Sequence, residues 1–188
     1  MSHSIVVFVN IDWKASRHDN VVAENRNLGL LKTTVRSIIT THMPDVICFC
    51  EVGLSSHPLT LDQMSKVSQA IEDTWHELLQ SAQLQRSFKQ GYPYLTVWDS
   101  SRVDCFNFHI TKCYEPQSFR TAQLFGMRAD TLEVDIVNIH LSSGNVKLTD
   151  AARKGSLENI MRRTSSIHDG TIGQSRSFLI GGDMNTCK

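Results

Sequence analysis

Apolar residues fall along this chain in two rhythms. Ile5-Val6-Val7-Phe8-Val9 and Val46-Ile47-Cys48-Phe49-Cys50 are short unbroken runs with the β-branched and aromatic content of buried strands. Between them the spacing predicts a helix from about Glu24 to His42, with Leu28, Leu31, Val35, Ile38 and Ile39 on one face and Pro44 stopping it. Strand, helix, strand in that order implies a right-handed crossover and parallel pairing, which brings Asn10 and Glu51 to one edge. A second helix begins at Thr60, with Gln63 completing a capping box. Its face of Leu61, Met64, Val67, Ile71, Trp75, Leu78 and Ala82 reads as core.

From there the rhythm turns to strands. Gly91 to Trp98 reads as a strand, Asp99 to Arg102 as a turn, and Val103 to Ile110 as the returning arm of a hairpin. Phe119-Arg120 opens a strand that runs to about Met127, and the turn over Arg128 to Thr131 leads into Leu132 to Leu141. Glu133 and Asp135 alternate there with apolar neighbours, predicting a wet side that also takes Asn138 and His140. A helix follows from Thr149 to Arg163, with Ala152, Leu157, Ile160 and Met161 inward; Gly170 to Ser177 then links to a last apolar run, Phe178-Leu179-Ile180. The whole reads as α/β, a single domain over residues 1–188 without repeats or a linker.

The last run ends in Gly181-Gly182-Asp183-Met184-Asn185. Two glycines at a strand end let a ligand approach the backbone. Residues i and i+2 of an extended segment share a side, so Asp183 and Asn185 place a carboxylate beside a carboxamide at a strand mouth. Such a pair suits a hard cation and a phosphate oxygen. Taken alone, the same residues read equally as a Gly-Gly-Asp turn capped by Asn.

Composition removes some functions. Lysine plus arginine and aspartate plus glutamate both total 19, so formal net charge is zero, and a strongly basic nucleic-acid surface is not indicated. The five cysteines, Cys48, Cys50, Cys105, Cys113 and Cys187, are odd in number and follow no zinc-ligand spacing, and Cys48 and Cys50, on one face of a strand, read as buried thiols rather than a bridge. No signal peptide or membrane span is predicted, and a reducing intracellular location, cytoplasmic or nuclear, is expected.

Asn10 after the first strand, Pro44 through Glu51, Phe119-Arg120, Asn138-Ile139-His140-Leu141 and Gly182-Asp183-Met184-Asn185 together resemble the endonuclease/exonuclease/phosphatase superfamily, in the family's order. The resemblance implies a DNase I-like four-layer α/β sandwich. It implies Mg²⁺ or Mn²⁺ at Glu51 with Asn10 beside it. Asp183 would orient or deprotonate the attacking water, Asn185 would hold a phosphate oxygen or align that Asp, and His140 would donate to the phosphate. Arg120 and Tyr94 are implied as phosphate contacts. Two departures stand out. Cys50 replaces the Gln usual before the metal-binding Glu, and the chain stops at Lys188, where the family continues to a further Asp and a Ser-Asp-His segment. The expectation is therefore an incomplete second sheet, a missing second catalytic histidine, and self-association through the unpaired strand edge. Three functions follow from the resemblance. One is a metal-dependent phosphodiesterase or nuclease; another is a phosphoesterase acting on phospholipid or inositol phosphate; the third is a catalytically inactive truncated remnant or a binding module.

Overall fold

The structure, a computed structural model, describes residues 3–11, 21–52, 60–79, 83–87, 94–112, 121–141, 151, 153–162 and 177–183. In chain order the elements are β1 (Val6–Asn10), α1 (Val21–His42), β2 (Val46–Cys50), α2 (Leu61–Leu78), β3 (Gln83–Ser87), β4 (Tyr94–Trp98), β5 (Asp104–Lys112), β6 (Thr121–Ala129), β7 (Leu132–His140), α3 (153–162) and β8 (Ser177–Asp183). They build two four-stranded sheets, β1-β2-β4-β3 and β5-β6-β7-β8.

Strand alternation sorts the side chains into layers. Ile47 and Phe49 of β2 with Leu95 and Val97 of β4 meet Val35 and Ile39 of α1 and Val67, Ile71 and Trp75 of α2. The other faces, with Val46, Cys48 and Trp98 opposite Phe125, Met127 and Ile136, form the core between the sheets. Val137 and Ile139 of β7 face outward onto Ile160 of α3. The order is helices, sheet, sheet, helix: the four-layer sandwich of the resemblance. Thr60 caps α2, its hydroxyl accepting from Gln63 N while the Gln63 side chain accepts from Thr60 N.

Three expectations need correction. α2 ends at Leu78, short of Ala82, and is followed by β3, which no apolar rhythm announces. Among the described residues Gln83-Leu84-Gln85-Arg86-Ser87 pairs only with β4, and an edge strand needs no continuous apolar face. The segments β4 and β5 are not a hairpin: the turn after Trp98 carries the chain from one sheet to the other. Alternating residues look alike in either case, since both strands present one face to the same inter-sheet core. The wet side of β7 is also absent. Asp135, Asn138 and His140 are all buried. Asn138 and His140 face the first sheet, on the opposite side of the strand from Glu133 and Asp135. Each sheet has four strands among the described residues.

Both sheets end on the same flank, at β1 and β8. Gly181 of β8 lies under the Phe8 ring of β1, where a Cβ would stand 2.2 Å from a ring carbon. Ile5, Phe178 and Leu179 are exposed along this flank. No helix among the described residues is long and apolar enough to cross a membrane.

The opposite end of the first sheet is anchored by Asp45. Its buried carboxylate accepts from Ile5 N at 2.7 Å through Oδ2 and pairs with Arg102 Nη1 at 2.9 Å through Oδ1, an ion pair without a well-aligned hydrogen bond. Removing the carboxylate leaves Ile5 N without its partner, while Arg102, half exposed, can turn to water. Asp45→Ala is expected to destabilise the chain by about 1–3 kcal/mol, read by urea unfolding. A cost below about 0.5 kcal/mol would show that the anchor is not structural.

Candidate active site at the strand ends

Two parallel pairs create the site. β1 runs alongside β2 with Asn10 opposite Cys50, and β7 runs alongside β8 with His140 opposite Asp183. The C-terminal ends of all four strands therefore lie at one end of the sandwich, where polar groups from both sheets can meet. Asn10 follows Phe8 in pointing toward the second sheet, and its Nδ2 donates to Asp183 Oδ2 at 2.7 Å.

Glu51 arrives by a different route. Continuing the alternation of Ile47 and Phe49 would aim its side chain at the helices. Instead Glu51 takes φ 57°, in the left-handed region that costs a non-glycine residue about 1–3 kcal/mol. That one turn changes the phase of the chain. Val52 goes into the core under α1 and α2, while Glu51 Oε1 comes within 3.2 Å of His140 Nε2. Asp183 Oδ2 lies 3.8 Å from the same nitrogen. Both carboxylates thus address one imidazole, and their oxygens are no further apart than those two distances together. His140 is 3% exposed and Asp183 29%, so the imidazole forms the floor and the Asp183 carboxylate the rim.

Cys50 lies beneath them. Burial, with the Glu51 and Asp183 charges, pushes its thiol from 9.0 up to about 12 against a backbone hydrogen bond from Asp183. It stays neutral at physiological pH, adding no charge and no nucleophile to the site. Burial likewise raises Cys48, and raises Cys105 to about 12. A thiol whose native pKa exceeds its unfolded value contributes stability in full below the unfolded value and loses it as pH rises through the native one. Stability is therefore expected to fall progressively between pH 9 and 12, and native-state alkylation of the three buried thiols to follow the rate of opening. Urea midpoints and labelling rates across that range check this; a flat profile would contradict it.

The donors that meet here are carboxylate and carboxamide oxygens, the ligands of a hard cation. Among the described residues no group of three or more His, Cys, Asp or Glu side chains has metal-binding geometry. An ion of the Mg²⁺ kind, which keeps several waters and takes one or two carboxylates, fits this set better than one needing an all-protein cage.

The sequence-predicted residues divide accordingly. Asn10, Glu51, His140 and Asp183 are brought together. Asn185 and Arg120 lie outside the described residues. Tyr94 is corrected: it is fully buried between the sheets, and its hydroxyl donates to the Thr121 carbonyl, so it offers no surface to a substrate. The two glycines before Asp183 make room for other parts of the chain. Gly181 admits the Phe8 ring, and Gly182, at φ 123°, admits the backbone of Ile139.

No family model matches the chain, and no curated protein does. Solved structures do match. TDP2 from Caenorhabditis elegans covers 97% of this chain at 17% identity and TM-score 0.63. An endonuclease/exonuclease/phosphatase from Bacteroides vulgatus covers 96% at 16% identity and TM-score 0.64. A mannosyl-6-phosphatase from Bacteroides thetaiotaomicron covers 97% at 16% identity and TM-score 0.63. The chain has the endonuclease/exonuclease/phosphatase fold. It spans only part of these proteins: 48% of the nematode TDP2, 65% of the Bacteroides vulgatus protein and 66% of the phosphatase. Identities this low establish the architecture, and chemistry must come from the residues at the site.

Proposed function

We propose that this chain carries the phosphate-binding half of a metal-dependent phosphoester hydrolase, acting on a phosphodiester, nucleic acid being one candidate. The observation behind this reading is the meeting of Asn10, Glu51, His140 and Asp183 at the ends of four strands from two sheets. It is supported by a fold shared with a phosphatase and with a Danio TDP2 solved with a single-strand DNA product.

Glu51, with Asn10 beside it, would hold a Mg²⁺ or Mn²⁺ ion, which supplies positive charge against the phosphate oxygens when bound. Asp183, held by the Asn10 amide, is the base placed to take a proton from an attacking water. His140 would donate from Nε2 to a phosphoryl oxygen as negative charge builds there; its burial keeps that donor fixed in a low-dielectric floor. Asn185 and Arg120 would contact the phosphate, as the resemblance implies. The test is hydrolysis of bis(p-nitrophenyl) phosphate by the purified chain with and without Mn²⁺. Turnover that needs the metal and disappears in His140→Ala supports the reading; metal-independent turnover, or none at any concentration, overturns it.

The β1/β8 flank supports a second expectation. Among the described residues β8 pairs on one side only; it has no lysine, proline or bulge to guard that edge, and exposes Phe178 and Leu179. Strand-to-strand pairing of two copies along β8 is expected, seen as a concentration-dependent increase in sedimentation coefficient. Leu179→Lys should reduce it, since a charge on an edge strand opposes pairing. A chain monomeric across the micromolar to millimolar range would refute it.

A further inference from the structure

Between the two sheets runs a layer of buried polar groups that the proposed chemistry does not use. Thr96 Oγ1 of β4 donates to Gln123 Oε1 of β6 at 2.8 Å. Asn138 of β7 is fully buried, and its Nδ2 donates to the Phe49 carbonyl of β2 at 3.0 Å, joining the sheets. The Oδ1 of the same amide is buried without a hydrogen-bond partner. A buried unpaired acceptor is costly, and an apolar side chain of the same size would avoid the cost. Its position suggests what it is kept for. Asn138 stands two residues before His140 on β7, and Phe49 stands two residues before Glu51 on β2. The bond between them is thus tied to the same two strand ends that bring Glu51 within 3.2 Å of His140.

We infer that Asn138 is a positioning residue: its inter-sheet hydrogen bond to the Phe49 carbonyl sets the separation of Glu51 and His140. The inference concerns the site proposed above, and it also has a consequence that does not depend on that proposal. Cys50, next after Phe49, is buried in the same seam. If the Asn138 bond closes the seam, losing it opens the way to Cys50.

The decisive variant is Asn138→Leu, close to Asn in size and unable to bond. It loses one hydrogen bond but also removes the unpaired Oδ1, so Tm is expected to stay within about 5 °C of wild type. Three readouts should nonetheless move. Alkylation of Cys50, followed by peptide mass spectrometry, should quicken by about tenfold. Mn²⁺ affinity, read by electron paramagnetic resonance, and kcat should each fall by about 10- to 100-fold, as when a group supporting metal ligands is removed, with KM little changed. Thr96→Val is the control, breaking the Thr96–Gln123 bond in the same layer. It should lower Tm while leaving Mn²⁺ affinity and Cys50 labelling as in wild type. If Asn138→Leu does not fold, Asn138→Ser is measured in the same way.

Wild-type values for Cys50 labelling and Mn²⁺ affinity in the Asn138 variant overturn the inference. Equal losses in Thr96→Val also overturn it, since that would mean general loosening of the core. A wild-type chain that neither binds Mn²⁺ nor turns over substrate overturns the proposed function instead, and Cys50 labelling then decides the role of Asn138 by itself.

Discussion

Asp183→Asn is expected to lower turnover of a phosphodiester by about 10² to 10⁴ while leaving the fold intact. The substitution is nearly isosteric. The new carboxamide oxygen can still accept from Asn10 Nδ2, so the bond between β1 and β8 at 2.7 Å survives. Asp183 is also partly solvated, so loss of its charge leaves no buried group stranded. What is lost is the proton acceptor, and with it one of the two carboxylates addressing His140. Asp183→Ala goes further, because the Asn10 amide then loses its partner as well, and a modest fall in Tm should accompany the loss of rate. The measurement is kcat and Tm for both variants beside the wild-type chain. Turnover by Asp183→Asn within threefold of wild type would remove Asp183 from the chemistry, whatever became of the other residues.

The difference between what the residues announce and what only the structure reveals follows a physical line. β1, α1, β2 and the capped start of α2 are legible because their signals are local: runs of β-branched residues, a helical apolar stripe, a Thr/Gln box and a proline stop. That Asn10 and the end of β2 share an edge is legible, since parallel pairing fixes where the two strands end, while their convergence with His140 and Asp183 is implied only by the resemblance. The aim of Glu51 is not. Nothing in its identity signals a left-handed φ, and a glutamate at the end of an apolar run looks the same whether it faces helices, solvent or the opposite sheet. β3 is hidden for the converse reason, as a polar segment with no periodicity acquires its structure from β4. Alternation puts Asn138 on a wet side and the resemblance puts Tyr94 at the phosphate, but neither holds. Each is buried because it finds a backbone carbonyl, of Phe49 and Thr121, on another strand. No local pattern could name those partners. The inter-sheet polar layer is therefore the part of the molecule where tertiary contacts override the alternation of the sequence.

Gly182→Ala is expected to destabilise the chain by more than about 4 kcal/mol, enough to unfold β8 in a domain of ordinary stability. Two obstacles act at the same atom. Gly182 has φ 123°, a conformation that side-chain-bearing residues rarely adopt. A Cβ built there would stand 2.0 Å from the Ile139 carbonyl oxygen and 2.9 Å from its nitrogen, both in the backbone of β7. Backbone in the middle of a sheet has no rotamer to change, so relief requires β8 to leave β7. That would carry away Asp183, whose carbonyl accepts from Leu141 N at 2.8 Å, and with it the Asn10 contact. Gly181→Ala offers the contrast one residue earlier. Its Cβ would also collide, at 2.2 Å, but with the ring of Phe8, a side chain on a strand that is itself an edge. Overpacking of this kind typically costs about 1–3 kcal/mol. Trimming the ring in a Gly181→Ala/Phe8→Leu double variant should recover part of that loss relative to the two single variants added together. The same Phe8→Leu change should do nothing for Gly182→Ala. Urea unfolding of the six chains, wild type and both double variants included, gives the comparison. Recovery of Gly182→Ala by Phe8→Leu, or a Gly182→Ala cost no larger than that of Gly181→Ala, would mean that the backbone of β7 is not the obstacle.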